Sequence, residues 1–167
     1  SASKGSSDIK MAIQQCANQP FFQIVHGWFN IGGILQGSRL VNYILDHTTA
    51  YWKARYYFWR NNYNWQGLVS MRWGANAPLS KTIEIPKTMT AINVIGVPLF
   101  RHVTQRARPF YLAMVPEGPS DGIVLLAEST IPNAITYGAF RNDHYFQWPI
   151  PEQRIRGFLI YMIEKTQ

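Results

Sequence analysis

The sequence predicts an all-β fold, an antiparallel two-sheet jelly-roll sandwich with one prominent helix in an early connection. Beyond Gly74, short apolar runs are separated by Pro, Gly, Asn and Asp at the roughly 8 to 12-residue spacing of sandwiches and barrels. The 10 prolines stand between these runs, which is where sheets tolerate them. Helices do not recur after the predicted strands, so we expect no parallel α/β architecture.

The composition predicts one domain that is partly covered by neighbouring subunits. The chain has 167 residues, a net charge of +7 and only 15% charged residues, while 14% of its residues are aromatic. An ordinary soluble domain carries roughly 25% charged residues, and subunit interfaces are rich in aromatic residues and Arg and poor in Lys, Glu and Asp. The single cysteine, Cys16, excludes an intrachain disulfide, and no apolar run approaches the length of a bilayer span.

Residues 1–20 are predicted as an N-terminal arm that can hold a short helix, and residues 21–167 as the jelly-roll domain. The first seven residues are small and polar and cannot repay the entropy of ordering by their own packing. Ile9 and Ile13 then follow at helical spacing.

The elements of the predicted domain follow from local patterns. Residues 21–31 are aromatic and β-branched, which is typical of a buried strand. Ser38 can cap a helix whose apolar residues recur at three and four through Trp52. Residues 63–73 alternate between apolar and polar, which indicates a half-buried strand. The remaining predicted strands are residues 81–85, 91–99, 110–115, 123–127, 135–140 and 155–163.

The candidates for nucleophilic catalysis are poorly arranged in the sequence. Ser38, Asp46 and His47 form one set, but neighbouring helical residues point about 100° apart, so Asp46 cannot orient His47 within a helix. Ser38 lacks the Gly-x-Ser-x-Gly pattern of a nucleophile turn and is predicted as an N-cap. Asp143 and His144 could join a triad from distant strands, without support from their spacing.

The sequence predicts no catalytic residues, no cofactor and no metal. The histidines are isolated and form no His-x-x-x-His pair. Glu117 and Asp121 share a Pro- and Gly-rich loop that could hold a cation weakly, but a solvated turn is the preferred interpretation. The glycines fit neither phosphate-binding spacing.

Cations interleaved with aromatic residues suggest two kinds of contact. Such pairs suit single-stranded nucleic acid, through phosphate neutralisation and base stacking, and they equally suit protein interfaces or the core. The second interpretation is preferred. The candidate interface or RNA-facing cations are Arg55, Arg60, Arg101, Arg106 and Arg108. The candidate contact or core aromatics are Trp28, Tyr51, Trp52, Tyr57, Trp59, Trp65, Trp73 and Trp148.

Residues 45–73 run from a helix through an aromatic and Arg-rich stretch into an alternating strand. This passage resembles the jelly-roll capsid proteins of picorna-like viruses, and most closely the small single-jelly-roll subunits of plant secoviruses. The protruding domain of an insect iflavirus capsid protein is the sister possibility. The chain departs from the family in lacking a strongly basic arm and in having Asn61 and Asn62 where a glycine is usual.

The resemblance implies a non-enzymatic structural subunit of a non-enveloped icosahedral RNA virus. Such a subunit would assemble in the host cytoplasm with its own copies and with sibling capsid proteins to form the virion. Genomic RNA and a host receptor or vector surface are further candidate partners, and no membrane span is expected. The alternative is a β-sandwich module that binds RNA or glycans, and a serine hydrolase is the third choice.

Overall fold

A computed structural model describes residues 1–147 and 152–165 and shows a mixed α/β fold built on a parallel sheet. Its strands are β1 (Gly27–Ile31), β2 (Thr90–Val97) and β3 (Ile135–Phe140), in the spatial order β1-β2-β3. Both pairings are parallel, with Gly27 opposite Thr90 and Ile92 opposite Ile135. Parallel neighbours need long crossover connections, and the helices supply them.

Helices precede the sheet, cross between its strands and follow it. They are α1 (Lys4–Cys16), α2 (Arg39–Asp46), α3 (Thr48–Arg60), α4 (Trp65–Val69), α5 (Arg108–Met114) and α6 (Glu152–Lys165). Short 3-10 turns cover Pro20–Ile24, Phe100–His102, Val115–Glu117 and Leu126–Ser129. The β1–β2 connection therefore contains α2, α3 and α4, and the β2–β3 connection contains α5. None of the helices in the described part of the chain is long and apolar enough to cross a membrane.

The middle strand is β2, and it is mostly apolar, as expected for a strand covered on both faces; its buried Asn93 is hydrogen-bonded to Asn30 and to the Ser129 carbonyl. Ile92 and Val94 are fully buried and pack with Ala139 of β3 and, from α6, Phe158 and Met162. The opposite face is covered by a second cluster. That cluster contains Ile13 of α1, Trp28, Leu35, Ile83, Met89, Ala91 and Ile131.

The predicted all-β jelly roll is wrong because three segments interpreted as strands are helical. Residues 63–73 contain α4, whose start is fixed by the Asn64 side chain accepting hydrogen bonds from the backbone N–H groups of Gln66 and Gly67. Residues 110–115 lie largely in α5 and residues 155–163 in α6. Periodicity alone does not distinguish a short apolar helix from a buried strand. With these helices misassigned, the expectation against a parallel α/β architecture was wrong as well.

Other predicted elements match the structure to different degrees. Residues 91–99 and 135–140 contain β2 and β3, but only the second half of 21–31 is a strand, since Pro20 begins a 3-10 turn. The helix predicted from Ser38 is divided at His47 into α2 and α3. Residues 81–85 and 123–127 form no strand.

The predicted arm packs on the sheet. Ala2 forms a parallel bridge with Ile31, so the chain runs beside β1 before it enters α1. Ser6 and Ser7 of α1 are buried. Ser6 packs closely against the backbone of Gly33, since a Cβ placed on Gly33 would lie only 2.8 Å from the Ser6 Cβ. A larger side chain at either position would not fit.

Candidate active site

Ser3 lies in a sharp turn between an extended segment and a helix. Its backbone N–H donates to the Ile31 carbonyl at 3.1 Å, which continues the pairing of Ala2 with β1, and α1 begins at the next residue. The turn gives Ser3 a φ of 47° and a ψ of −125°, a conformation that non-glycine residues rarely adopt. Strained turns between a strand and a helix are one way in which a fold presents a reactive side chain.

The Ser3 hydroxyl points at a histidine that is paired with a buried aspartate. Ser3 Oγ lies 2.9 Å from His144 Nε2, and His144 Nδ1 lies 2.8 Å from Asp121 Oδ2. The side chains of His144 and Asp121 are only 7% and 2% exposed. Because a carboxylate can only accept, the Asp121 contact places a proton on Nδ1 and leaves Nε2 free to accept from Ser3.

The loop around Asp121 holds this carboxylate in place from several sides. Asp121 Oδ1 accepts from the N–H groups of Ile123 at 2.9 Å and Val124 at 3.0 Å. The His144 N–H in turn donates to the Asp121 carbonyl at 2.8 Å. Gly122 permits the tight loop by adopting a φ of +101°. The aspartate and the histidine are therefore joined through both backbone and side chain.

Asp143 does not belong to this chain of hydrogen bonds, although it precedes His144. Its Oδ2 accepts from the Thr104 N–H at 2.7 Å and its Oδ1 from the Tyr145 N–H at 2.9 Å. Asp143 is 1% exposed and thus ties the loop that bears His144 to the segment after β2. Of the predicted pair Asp143 and His144, only the histidine contacts the serine.

Ser3, Asp121 and His144 meet at one edge of the sheet. Ser3 follows the segment that pairs with β1, Asp121 lies in the connection after β2, and His144 follows β3 by four residues. Parallel strands bring these positions together because their carboxyl ends lie at the same edge, where open α/β sheets bind ligands.

Two glycines allow the loop around His144 to pass close to the sheet. A Cβ on Gly96 of β2 would lie 2.8 Å from the Asn142 carbonyl oxygen and 2.9 Å from that of Asp143. Gly32 has a φ of +54°, and its Cβ would lie 2.9 Å from the Phe146 ring and 3.6 Å from His144 Nδ1. Both positions therefore favour glycine.

Tyr145 lies beside His144, and their rings are in contact. Burial raises the pKa of its phenol, and the nearby Arg106 guanidinium, 4.9 Å from the centre of the ring, opposes that rise. The phenol of Tyr57, on α3, is near enough to raise the pKa of Tyr145 slightly further. Next to Ser3, the side chain of Lys4 approaches α4: a Cβ on Gly67 would lie 3.5 Å from Lys4 Cε. The helical β1–β2 connection thus borders the site.

The first predicted set, Ser38, Asp46 and His47, is not brought together. Ser38 stands at the N-cap of α2, but its hydroxyl makes no capping bond and donates instead to the Ile123 carbonyl at 2.6 Å. Asp46 contacts Arg72, and His47 Nδ1 lies 2.9 Å from the Tyr43 carbonyl.

The predicted loop of Glu117 and Asp121 is engaged in other contacts. Glu117 pairs with Arg39 and Asp121 with His144. Within residues 1–147 and 152–165, no three His, Cys, Asp or Glu side chains are grouped so as to hold a metal ion.

The predicted contact residues are spread over different environments, and their role in contacts stays a prediction. Trp28 is buried in the core, Tyr51 and Trp65 are half-buried, and Trp148 lies outside the described residues. The exposed aromatics are Trp52, Tyr57, Trp59 and Trp73. Among the cations, Arg55 lies over the Trp65 ring, Arg106 over Tyr145 and Arg108 over Phe100, while Arg60 and Arg101 are exposed.

Sequence reasoning missed Ser3 and the role of Asp121. Residues 1–5 read Ser-Ala-Ser-Lys-Gly, which is the Gly-x-Ser-x-Gly pattern with serine in place of the first glycine. A search for small-x-Ser-x-Gly would have found it. Asp121 carries no such local signal, since 118 positions separate residues 3 and 121.

Solved structures with a similar fold are known. No known family and no curated protein matches this chain. A metagenomic carboxyl esterase is similar in structure with a TM-score of 0.67 at 16% identity, over 98% of this chain and 53% of the esterase chain. A mature lipase from Bacillus licheniformis has a TM-score of 0.64 at 17% identity, over 99% of this chain and 64% of the lipase chain. The chain therefore spans between half and two thirds of the length of these structures, and over that length it shares their fold.

These findings overturn the prediction of a viral capsid subunit. The parallel sheet and its esterase and lipase neighbours show no likeness to capsid proteins, so the predicted picorna-like family, virion location and capsid partners are wrong. The expectation of a non-enzymatic protein is contradicted too. The resemblance had rested on residues 45–73, where α4 was interpreted as a strand.

Proposed function

We propose that this chain carries the catalytic triad of a serine hydrolase that acts on carboxylic esters. Ser3 is the nucleophile, His144 the general base and acid, and Asp121 the residue that orients His144. The observation that carries the proposal is the continuous contact from Ser3 Oγ to His144 Nε2 at 2.9 Å and from His144 Nδ1 to Asp121 Oδ2 at 2.8 Å. The order Ser, Asp, His along the chain is that of α/β hydrolases.

In the acylation step, Ser3 Oγ attacks the ester carbonyl carbon while its proton moves to His144 Nε2. The tetrahedral intermediate collapses, the bond to the alcohol oxygen breaks, and His144 gives its proton to the departing alcohol. Asp121 stabilises the imidazolium that exists between these two proton transfers and keeps Nδ1 protonated. The products are an acyl ester on Ser3 and the free alcohol.

Deacylation repeats the sequence with water. His144 Nε2 takes a proton from a water molecule that attacks the acyl carbon, and the bond between that carbon and Ser3 Oγ breaks. The proton returns to Ser3, and the carboxylic acid leaves. The residues end in their initial state.

The N–H of Lys4 is the oxyanion donor that this arrangement supplies. In α/β hydrolases one donor is the N–H of the residue after the nucleophile, and Lys4 is also the first residue of α1, whose N-terminal end favours negative charge.

Esters are the substrate class that the structural neighbours favour, since one is described as a carboxyl esterase and the other as a lipase. A series of p-nitrophenyl esters with acyl chains of increasing length tests this directly. We expect the purified protein to hydrolyse members of the series.

The Ser3→Ala variant should lower kcat by about a millionfold, the effect of losing a triad nucleophile. Ser80→Ala is the matched control, since Ser80 is a half-buried serine remote in sequence from the triad residues. Hydrolysis by Ser3→Ala at the wild-type rate would refute the proposal.

A further inference from the structure

The outward face of α3 carries an aromatic stripe formed by Trp52, Tyr56 and Trp59. Their side chains are 65%, 60% and 77% exposed. At about 100° per residue, positions spaced i, i+4 and i+7 lie within roughly 60° of one another on a helix. No residue of α3 is buried. The half-buried residues on its opposite face are Ala50, Tyr51, Ala54 and Phe58.

Cations border the stripe on both sides. On the same helical projection Arg55 lies at one margin, and Lys53 and Arg60 lie at the other. Residues 47–83 contain five Lys and Arg and no Asp or Glu. The stripe therefore lies within a positively charged stretch that has no acidic residue of its own.

This arrangement matches a bilayer interface. Trp and Tyr favour the headgroup level of membranes because they combine an apolar ring with a polar atom. Lys and Arg at the margins can extend to the phosphates while their carbon stems remain on apolar surface, and anionic lipid attracts such cations. Stacking on single-stranded nucleic acid is less consistent with the stripe, because it needs cations that track a backbone along a groove.

We propose that α3 binds the surface of an anionic phospholipid bilayer, with Trp52, Tyr56 and Trp59 at headgroup depth and Lys53 and Arg60 near the lipid phosphates, while Arg55 remains over the Trp65 ring. The stripe belongs to the helical β1–β2 connection, whose α4 lies near the candidate active site, since a Cβ on Gly67 would lie 3.5 Å from Lys4 Cε. The binding itself does not require the triad.

Sedimentation with lipid vesicles tests the proposal on the whole protein. One set of vesicles contains phosphatidylcholine alone, and the other contains equal parts of phosphatidylcholine and phosphatidylglycerol. We expect partition into the mixed vesicles that salt weakens, and little partition into the neutral ones. The Ser3→Ala variant should bind as the wild type does, so failure of the hydrolase proposal and failure of this one are distinguishable.

The variants identify the surface. The double variant Trp52→Ala/Trp59→Ala should reduce partition at least tenfold, and Lys53→Gln or Arg60→Gln about fivefold each. Phe21→Ala is the matched control, since Phe21 is 58% exposed on a different element, and it should bind normally. Circular dichroism confirms that each variant is folded, and brominated lipids should quench wild-type tryptophan fluorescence more than that of the double variant.

Three results would overturn the proposal. The first is no partition into the anionic vesicles. The second is partition that the double variant leaves unchanged. The third is another occupant of the stripe, shown by tighter binding of single-stranded RNA through the same residues or by a stable dimer that the double variant dissociates.

Discussion

Two aspartates neighbour His144, one in space and one in sequence, and their hydrogen bonds differ. Asp121 contacts the imidazole, whereas Asp143 accepts two backbone N–H groups that hold the loop. His144 was among the residues that the sequence offered for a triad, but its acid partner could not be read from adjacency. Contacts across the fold, between residues 121 and 144, decide which carboxylate pairs with the imidazole, and no local pattern encodes them.

Asn substitutions should separate these two functions. Asp121→Asn should lower kcat about ten-thousandfold, because the amide can no longer hold the required tautomer of His144. Asp143→Asn should lower kcat less than a hundredfold and destabilise the fold by about 1 to 3 kcal/mol, because one buried N–H would face an NH2 group. Ester kinetics and urea unfolding measure both. An equal loss of kcat in the two variants would contradict the assignment.

Lys10 gives the stability of the protein a specific pH dependence. It is 1% exposed, its Nζ donates to the Leu35 and Leu79 carbonyls, and burial lowers its pKa from 10.5 to about 8. Between about pH 8 and 10.5 the folded protein has released a proton that the unfolded chain retains, so the free energy of unfolding rises with pH.

The full rise from Lys10 corresponds to roughly 3 kcal/mol. Urea unfolding across this pH range, compared with Lys10→Met, isolates its contribution from that of other groups. The stability of the wild type relative to the variant should increase with pH, and a difference that stays constant would show that Lys10 keeps its ordinary pKa.

At the scale of elements, apolar runs located β1, β2 and β3 but also predicted strands in five segments that contain none. The β-branched run at Thr90–Val97 and the run at Ile135–Phe140 are flanked by turn residues, and both are strands. The apolar residues of Glu152–Lys165 form a helix that covers one side of the sheet. Their sequence pattern is compatible with either a buried helix or a buried strand. Whether a short apolar segment becomes a helix or a strand was settled here by its tertiary partners.

Gly96 of β2 allows the loop before His144 to pack closely against the sheet. In Gly96→Ala the new Cβ would press on two backbone carbonyls of the loop before His144, so we expect a lower kcat and a loss of about 1 to 3 kcal/mol in stability. Gly138→Ala on β3 is the control, because its Cβ would meet only the Val97 side chain, at 3.3 Å. Ester kinetics should show a loss in the first variant and near-normal rates in the second.

At the scale of the whole molecule, the charge-poor and aromatic composition was interpreted as evidence of covered faces. The structure places Trp28 in the core but leaves Trp52 and Trp59 largely exposed. Composition alone indicates that such rings need a partner, but it does not distinguish a protein shell from a lipid surface. The proposed function depends on the parallel sheet, because this sheet brings residues 3, 121 and 144 to one edge.

Labelling with a fluorophosphonate tests the triad most directly, because this reagent forms a stable covalent adduct only with an activated serine. Intact mass measurement followed by peptide mapping should find one adduct, on Ser3, in the wild type. The His144→Ala variant should remain unlabelled. An adduct on Ser38 or another serine, or no adduct on a protein shown to be folded, would contradict the assignment of Ser3 as the nucleophile.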